Sequence, residues 1–394
     1  LNKYFGISQI KNEQKEIIDC IIKENRDCLA VLSTGYGKSI CFQLPYFILN
    51  KIIIVISPLI SLMQDQTQKL KKLNIKTNSI NSSLSYEEKN NFKKRIINDN
   101  HAILYTTPEY FNNNEDFFKL LYEKNYIGLI SIDECHCIVE WGYDFRPEYL
   151  NLSNIKKWIP NIPILCLTAT ATDDVKNVII KKLQLNNPKI VRNSFDRKNL
   201  TIYTKNFKKQ NDILSDIIPL LDNSKCIIIY TREKKETLLI YNKIKNIIKC
   251  NYYHSDINMN KRNKIQTDFL LGNIKCIITT IAFGMGIDND VDIVIHYGLP
   301  DSIESYYQEI GRAGRTGKDA QCYLFYTFRN YKIHESNVNK INNEEFKKIK
   351  KSKLQDIIKF ANINKFCKKI YLYKYFNEQY PEDYKNSKYG CSKC

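Results

Sequence analysis

Between an apolar run, Cys28-Leu29-Ala30-Val31-Leu32, and a helical pattern that begins Ile40-Cys41-Phe42-Gln43-Leu44 lies the segment Ser33-Thr34-Gly35-Tyr36-Gly37-Lys38-Ser39. A strand, a tight glycine-bearing turn and a helix N-terminus make an anion cradle, because unpaired backbone N–H groups and the helix dipole point at one spot. In such a cradle Thr34, Gly35 and Gly37 wrap the phosphates, Lys38 reaches the outer ones and the Ser39 hydroxyl ligates Mg²⁺. The strict phosphate-loop pattern has glycine where this chain has Leu32. A glycine-rich turn with no ligand therefore stays open at this point.

A second chemical group follows the apolar run Tyr126-Ile127-Gly128-Leu129-Ile130-Ser131-Ile132, which ends in Asp133-Glu134-Cys135-His136. Carboxylates at the C-terminal end of a parallel strand sit where open α/β sheets bind ligands. There Asp133 suits Mg²⁺ held through water, and Glu134 suits orienting and deprotonating an attacking water. An acidic pair after a strand is also a common helix N-cap, a reading that the upstream phosphate loop weakens. A third group is Cys391-Ser392-Lys393-Cys394, with Cys367 upstream. A structural zinc site takes four ligands. A fourth ligand beyond Cys394, Asp383 in its place, or no zinc at all are the alternatives.

These groups need elements to position them, and the chain alternates accordingly. Short apolar runs at 28–32, 52–56, 102–106, 127–132 and 163–167 recur at 226–230, 276–280, 291–295 and 321–326, separated by helical or polar segments. Strands alternating with helices predict parallel sheets covered on both faces. The rhythm breaks near Phe195-Asp196-Arg197-Lys198-Asn199, which divides it into two domains, 1–195 and 196–328. Beyond Phe328 the sequence turns polar, and Leu354, Ile357, Ile358 and Ala361 fall at helical spacing, predicting a smaller helical unit over 329–394. The fold class is α/β.

The chain of 394 residues carries 60 Lys and Arg against 42 Asp and Glu, a net charge of +18. A polyanionic partner suits that balance, because phosphate contacts dominate nucleic-acid affinity. Saturation with Lys, Asn and Ile makes compositional drift the competing explanation. No apolar run approaches the roughly 20 residues of a membrane span, and no signal-peptide pattern precedes the first motif. Most of the thirteen cysteines lie inside apolar runs, as buried thiols do in a reducing intracellular compartment, rather than in a disulfide framework. A start at Leu1 and an abrupt end at Cys394 are what a piece of a longer chain would show.

Taken in order, Thr34 to Ser39, Asp133-Glu134-Cys135-His136 and Thr168-Ala169-Thr170-Ala171 resemble the D-E-x-H helicases of superfamily 2. The segment Glu140-Trp141-Gly142-Tyr143-Asp144-Phe145-Arg146-Pro147-Glu148-Tyr149 narrows the resemblance to the RecQ family, whose aromatic-rich loop directly follows that box. Ala282-Phe283-Gly284-Met285-Gly286-Ile287-Asp288 and Tyr306-Tyr307-Gln308-Glu309-Ile310-Gly311-Arg312-Ala313-Gly314-Arg315 are similar to the family's motifs V and VI. The resemblance covers essentially the whole chain.

It implies two tandem RecA-like domains followed by a zinc-binding helical subdomain, with ATP, Mg²⁺ and Zn²⁺ as cofactors. The implied activity is ATP-dependent movement 3′ to 5′ on single-stranded DNA, with unwinding of duplex DNA in recombination, repair or replication. On the same resemblance Gln14 reads the adenine edge beside Lys11. The family's usual aromatic and Arg are here Ile7 and Lys11, and Lys lacks a planar guanidinium, so weaker adenine selectivity is expected. Asp288 belongs to the nucleotide side. Gln308, Arg312 and Arg315 belong to catalysis, Arg315 as the arginine finger, so that ATP closes the two lobes and hydrolysis reopens them. Ser57, Thr107, Arg232 and Thr280 hold the DNA backbone. Trp141 and Phe145 stack on bases, and Arg146 pairs with phosphate or carboxylate. Tyr143 and Val139-Glu140 stand where the family usually has His and Ser-Gln. Cys367, Cys391 and Cys394 match zinc ligands.

The expected partners are single-stranded and duplex DNA, with the chain acting as a monomer in a nucleus, viral factory or bacterial cytoplasm. Two other readings compete. One is a DNA-binding scaffold with a decayed ATPase, against which the intact Lys38, Asp133, Glu134 and Arg315 argue. The other is an RNA-directed helicase, against which the Gln308-Glu309-Ile310-Gly311-Arg312 form of motif VI and the aromatic-rich loop argue.

Overall fold

The computed structural model describes residues 2–140, 148–281, 283, 289–364 and 366–381. The chain divides at Phe195/Asp196 into two units, and each is built on one parallel sheet.

In the first unit the strands are β1 (Cys28–Val31), β2 (Ile52–Ile56), β3 (Thr77–Ile80), β4 (Ile103–Thr106), β5 (Ile127–Ile132), β6 (Ile164–Thr168) and β7 (Lys189–Arg192), in the spatial order β3-β4-β2-β5-β6-β1-β7. Successive side chains of a strand point to opposite faces. Ile52, Ile54 and Ile56 accordingly enter one core, and Ile53 and Val55 enter the other. Both faces of β2 are buried under helices, which is why its sequence is apolar without interruption.

The amino-terminal side of this sheet is tied by Asp27, which is only 3% exposed. Its carboxylate accepts hydrogen bonds from Ile164 N (2.8 Å), Asn186 N (2.9 Å) and Lys156 Nζ (2.7 Å). Removing one partner of a buried pair leaves the other charge uncompensated. Asp27→Ala is therefore expected to cost about 3–5 kcal/mol of unfolding free energy, measured by urea denaturation. A loss below about 1 kcal/mol, the range of exposed pairs, would contradict this account of the clamp.

In the second unit the strands are β8 (Leu200–Phe207), β9 (Ile227–Thr231), β10 (Cys250–Tyr253), β11 (Cys276–Thr279), β12 (Ile293–Tyr297) and β13 (Ala320–Thr327), in the order β10-β11-β9-β12-β13-β8. The helices Phe328–Asn339, Glu344–Ala361 and Lys368–Tyr375 follow. Leu354, Ile357 and Ala361 are buried, in keeping with the helical spacing. These helices pack with the second unit. Two contacts join them to it, and a third closes the end of one of them. Lys353 Nζ lies 3.1 Å from Glu304 Oε1, with both side chains nearly buried. Thr204 on β8 donates to the Ala361 carbonyl at 3.0 Å. Lys368 Nζ donates to the carbonyls of Phe360, Ala361 and Ile363 at 3.3, 3.3 and 2.7 Å, closing the end of the helix Glu344–Ala361 with a cation where the dipole favours one.

Candidate nucleotide site

In the first unit β1 lies beside β6, which lies beside β5, all parallel. Residues that leave the carboxyl ends of these three strands therefore gather along one edge. β1 runs into the turn 32–39, β5 into Asp133-Glu134 and β6 into Thr168-Ala169-Thr170. Gly35 and Gly37 adopt φ of +80° and +87°, conformations that need glycine here. A Cβ on Gly37 would also sit 2.8 Å from Gln14 Nε2.

The turn is held from three sides. Gln14 Nε2 donates to the Tyr36 and Gly37 carbonyls (3.0 and 3.1 Å), while its Oε1 accepts from Lys11 N at 2.9 Å. Lys11 Nζ lies 3.9 Å from the Tyr36 ring centroid, and the Tyr36 hydroxyl donates to Glu13. Asn193 Oδ1 accepts from Ser33 N (2.8 Å) and its amide donates to Ser33 Oγ (2.9 Å). Gln14 and Lys11 are thus placed on the loop itself, and both Gln14 donors are engaged there.

Within the turn, Lys38 Nζ donates to the Leu32 carbonyl at 3.2 Å. The Thr34 hydroxyl is buried with no hydrogen-bond partner among the described residues, and Ser39 opens the helix Ile40–Leu49 without its side chain capping it. An orphaned hydroxyl, an available Ser39 and an ammonium near the helix start fit a phosphate with its Mg²⁺.

Across the edge, Glu134 takes φ +50°, a left-handed backbone uncommon in residues other than Gly, Asn and Asp. Its N–H donates to Asp133 Oδ1 at 3.0 Å, and its carboxylate lies 3.4 Å from His136 Nδ1. His136 Nδ1 is also 3.0 Å from Thr168 Oγ1. That hydroxyl already donates to the Thr170 carbonyl (3.1 Å), so the imidazole donates to it. His136 thereby links the acidic pair to the Thr168-Ala169-Thr170 turn.

Burial first, and then the Glu134 carboxylate, push the Asp133 carboxyl up from 3.8 to about 7, against the pull of Lys38. A carboxyl raised in the folded state makes ionisation unfavourable to folding. The cost begins as pH rises past the unfolded value and is complete above about 7. Asp133→Asn is expected to raise the melting temperature of the nucleotide-free protein at pH 8, and to raise it much less at pH 4, by differential scanning fluorimetry. An equal effect at both pH values would contradict this.

Of the residues expected on the DNA side, Ser57 follows β2 with its hydroxyl buried and unpartnered among the described residues. Thr107 is buried, and its hydroxyl accepts from Tyr110 N at 3.3 Å as a helix cap, which leaves its O–H proton to donate. In the second unit Arg232 is ion-paired with Asp301, and Thr280 follows β11.

Arg312 is 5% exposed, with Nε donating to the Tyr230 hydroxyl at 2.8 Å and Nη1 without a partner among the described residues. The Tyr230 ring stacks on His296, which is paired with Glu309 at 2.8 Å. Gln308 and Arg315 are half-buried in the same stretch. Neither Tyr230 nor Asn193 stands out in the sequence. A lone Asn after an edge strand carries no signal of its own. Trp141, Phe145, Arg146, Asp288, Cys391 and Cys394 lie outside the described residues. Cys367 is buried at the start of the helix Lys368–Tyr375.

Two parallel-sheet units, one with a phosphate turn and acidic pair at its carboxyl edge and the other with an arginine turn, define the superfamily 2 helicase class. Residues 11–178 match the family described as "DEAD/DEAH box helicase", 209–317 "Helicase conserved C-terminal domain" and 328–394 "RecQ zinc-binding". The chain is 39% identical over 386 residues to the "Putative ATP-dependent RNA helicase R290" of Acanthamoeba polyphaga mimivirus, covering 97% of this chain and 69% of that protein. It is 36% identical to "ATP-dependent DNA helicase RecQ" of Haemophilus influenzae, covering 96% of this chain and 61% of that one. Among solved structures, the "DUF1998 helicase MrfA bound to DNA" matches with a TM-score of 0.69 at 18% identity, over 83% of this chain and 50% of that one, a likeness of fold. The chain belongs to the RecQ family.

Proposed function

We propose that the chain is the motor of an ATP-dependent DNA helicase that moves 3′ to 5′ on single-stranded DNA and separates duplex DNA ahead of it. The observation that carries this reading is the convergence of the turn 32–39, Asp133-Glu134 and Thr168 on one carboxyl edge. In this reading the turn's backbone N–H groups and Lys38 hold the phosphates, while Ser39 and Asp133 hold Mg²⁺. When bound, Mg²⁺ neutralises charge on the outer phosphates. Glu134 orients the water and takes its proton. Gln308, Arg312 and Arg315 answer the charge that develops in the transition state, and Asp288 acts on the nucleotide side. Gln14 and Lys11 couple the base to the phosphate turn.

Ser57, Thr107, Arg232 and Thr280 follow the DNA backbone, with Trp141, Phe145 and Arg146 sensing the strand. Zinc is held by Cys367, Cys391 and Cys394 with a fourth ligand. The chain works as a monomer in a reducing compartment. The described cysteines are all free thiols, and among the described residues no helix is long and apolar enough to cross a membrane.

The printed name of the viral relative speaks of RNA, which favours RNA as the second reading. Stimulation of ATP hydrolysis separates the two. Single-stranded DNA is expected to stimulate, with an RNA of the same sequence competing poorly. Stimulation by RNA alone would overturn the DNA reading.

A further inference from the structure

The turn that carries Arg312 and Arg315 is gripped by residues far away in sequence. Arg197, in the segment leading into β8, sends Nη2 to the carbonyl of Ala313 at 2.8 Å and to that of Gly314. Asn199 Nδ2 donates to the carbonyls of Gly314 (2.8 Å) and Lys318 (2.7 Å). Gly314 N donates to the Val291 carbonyl at 2.9 Å. Gly314 adopts φ +54°, and a Cβ there would collide with the Lys318 carbonyl and the Asn199 amide. The turn and its grip therefore fit with no spare room.

Arg197 is itself held. Lys369, 3% exposed and two residues after Cys367, donates to the Arg197 carbonyl at 2.9 Å and lies 3.8 Å from the Asp196 carboxylate.

We propose that Arg197 is a positioning residue for the Arg312–Arg315 turn, and that Lys369 ties the setting of that turn to the helix that begins after Cys367. The proposal rests on the reading of Arg312 and Arg315 as groups that stabilise charge during ATP hydrolysis. Nη2 takes both carbonyls while Nε of the same rigid fork donates to Asn199 Oδ1 at 3.3 Å, two points of hold that the single nitrogen of an ammonium cannot occupy together. Both carbonyls lie between the two arginines, so loosening them releases both side chains. A misplacement of about 1 Å can cost about 100-fold in rate.

The test compares Arg197→Ala, Arg197→Lys and Lys369→Met with Arg315→Ala in the full chain, with single-stranded DNA present. Arg197→Ala is expected to lower kcat for ATP by about 10- to 100-fold, with KM for ATP within about twofold of the parent. Arg197→Lys is expected to recover little of that loss, and Lys369→Met to give a smaller loss of the same kind. In the Arg315→Ala background, Arg197→Ala should cost less than about threefold more, because it acts through that turn. Amide exchange across 311–317 should accelerate in Arg197→Ala and in the milder Arg197→Lys. Unchanged exchange at the turn, or kcat losses that multiply, would overturn the proposal. If neither Arg312→Ala nor Arg315→Ala lowers kcat, the catalytic reading of the turn falls. The exchange measurement still decides whether Arg197 sets it.

Discussion

Replacing Arg315 by alanine is expected to lower DNA-stimulated ATP hydrolysis by about 10³–10⁵-fold, with nucleotide binding nearly intact. Phosphoryl transfer to water asks little covalent chemistry of a protein. It asks for charge placed where the transition state spreads it over the phosphoryl oxygens. Arg315 ends a turn whose backbone is fixed by Arg197, Asn199 and Val291. Arg312, three residues earlier, is buried with one guanidinium nitrogen unpartnered among the described residues. Arg315→Lys should restore little, because an ammonium is a point charge without the planar fork. Steady-state ATPase assays with fluorescent-nucleotide titration measure both quantities. A loss below about tenfold would remove Arg315 from the role of finger.

Glu134→Gln is expected to cost about 10²–10⁴-fold in kcat while ATP still binds. The amide keeps the shape of the side chain but cannot take a proton. The backbone at Glu134 is left-handed, and its carboxylate lies 3.4 Å from His136 Nδ1. Single-turnover hydrolysis checks it. Loss of ATP binding along with the rate would mean that Glu134 shapes the pocket instead of acting on water.

The interior of the fold was easy to read and its margins were not. β1, β2, β4, β5, β6, β9, β11, β12 and β13 coincide closely with the apolar runs of the sequence, because each lies between two neighbours and is covered on both faces. β3, β7, β8 and β10 do not, and these four are the outer strands of the two sheets. An edge strand has one neighbour and a partly solvated surface, so Thr77-Asn78-Ser79-Ile80 and Lys189-Ile190-Val191-Arg192 look like loops.

Composition hid a feature in a similar way. Saturation with Lys, Asn and Ile was weighed only as a source of the charge, while Asn25, Asn50, Asn74, Asn100 and Asn125 all take left-handed backbone. Asn50 and Asn100 directly follow the helices Ile40–Leu49 and Tyr86–Asp99, the position that glycine usually fills.

At the site, the types and spacing of Lys38, Ser39, Asp133 and Glu134 were enough to bring them to one edge, because loops leaving parallel strands must emerge together. The supporting grip was not legible. Asn193 on Ser33, His136 on Thr168 and Arg197 on Gly314 join segments 160, 32 and 117 residues apart, and no local pattern announces such pairs.

The central claim is a motor driven by the edge that carries Lys38, and strand displacement tests it most directly. A DNA duplex with a 3′ single-stranded tail is compared with one bearing a 5′ tail, in ATP and Mg²⁺, for the parent chain and for Lys38→Ala. Displacement of the 3′-tailed duplex alone, lost in Lys38→Ala, is the expected result. Neither displacement nor DNA-stimulated hydrolysis in the parent chain would contradict the account and leave a DNA-binding scaffold in its place.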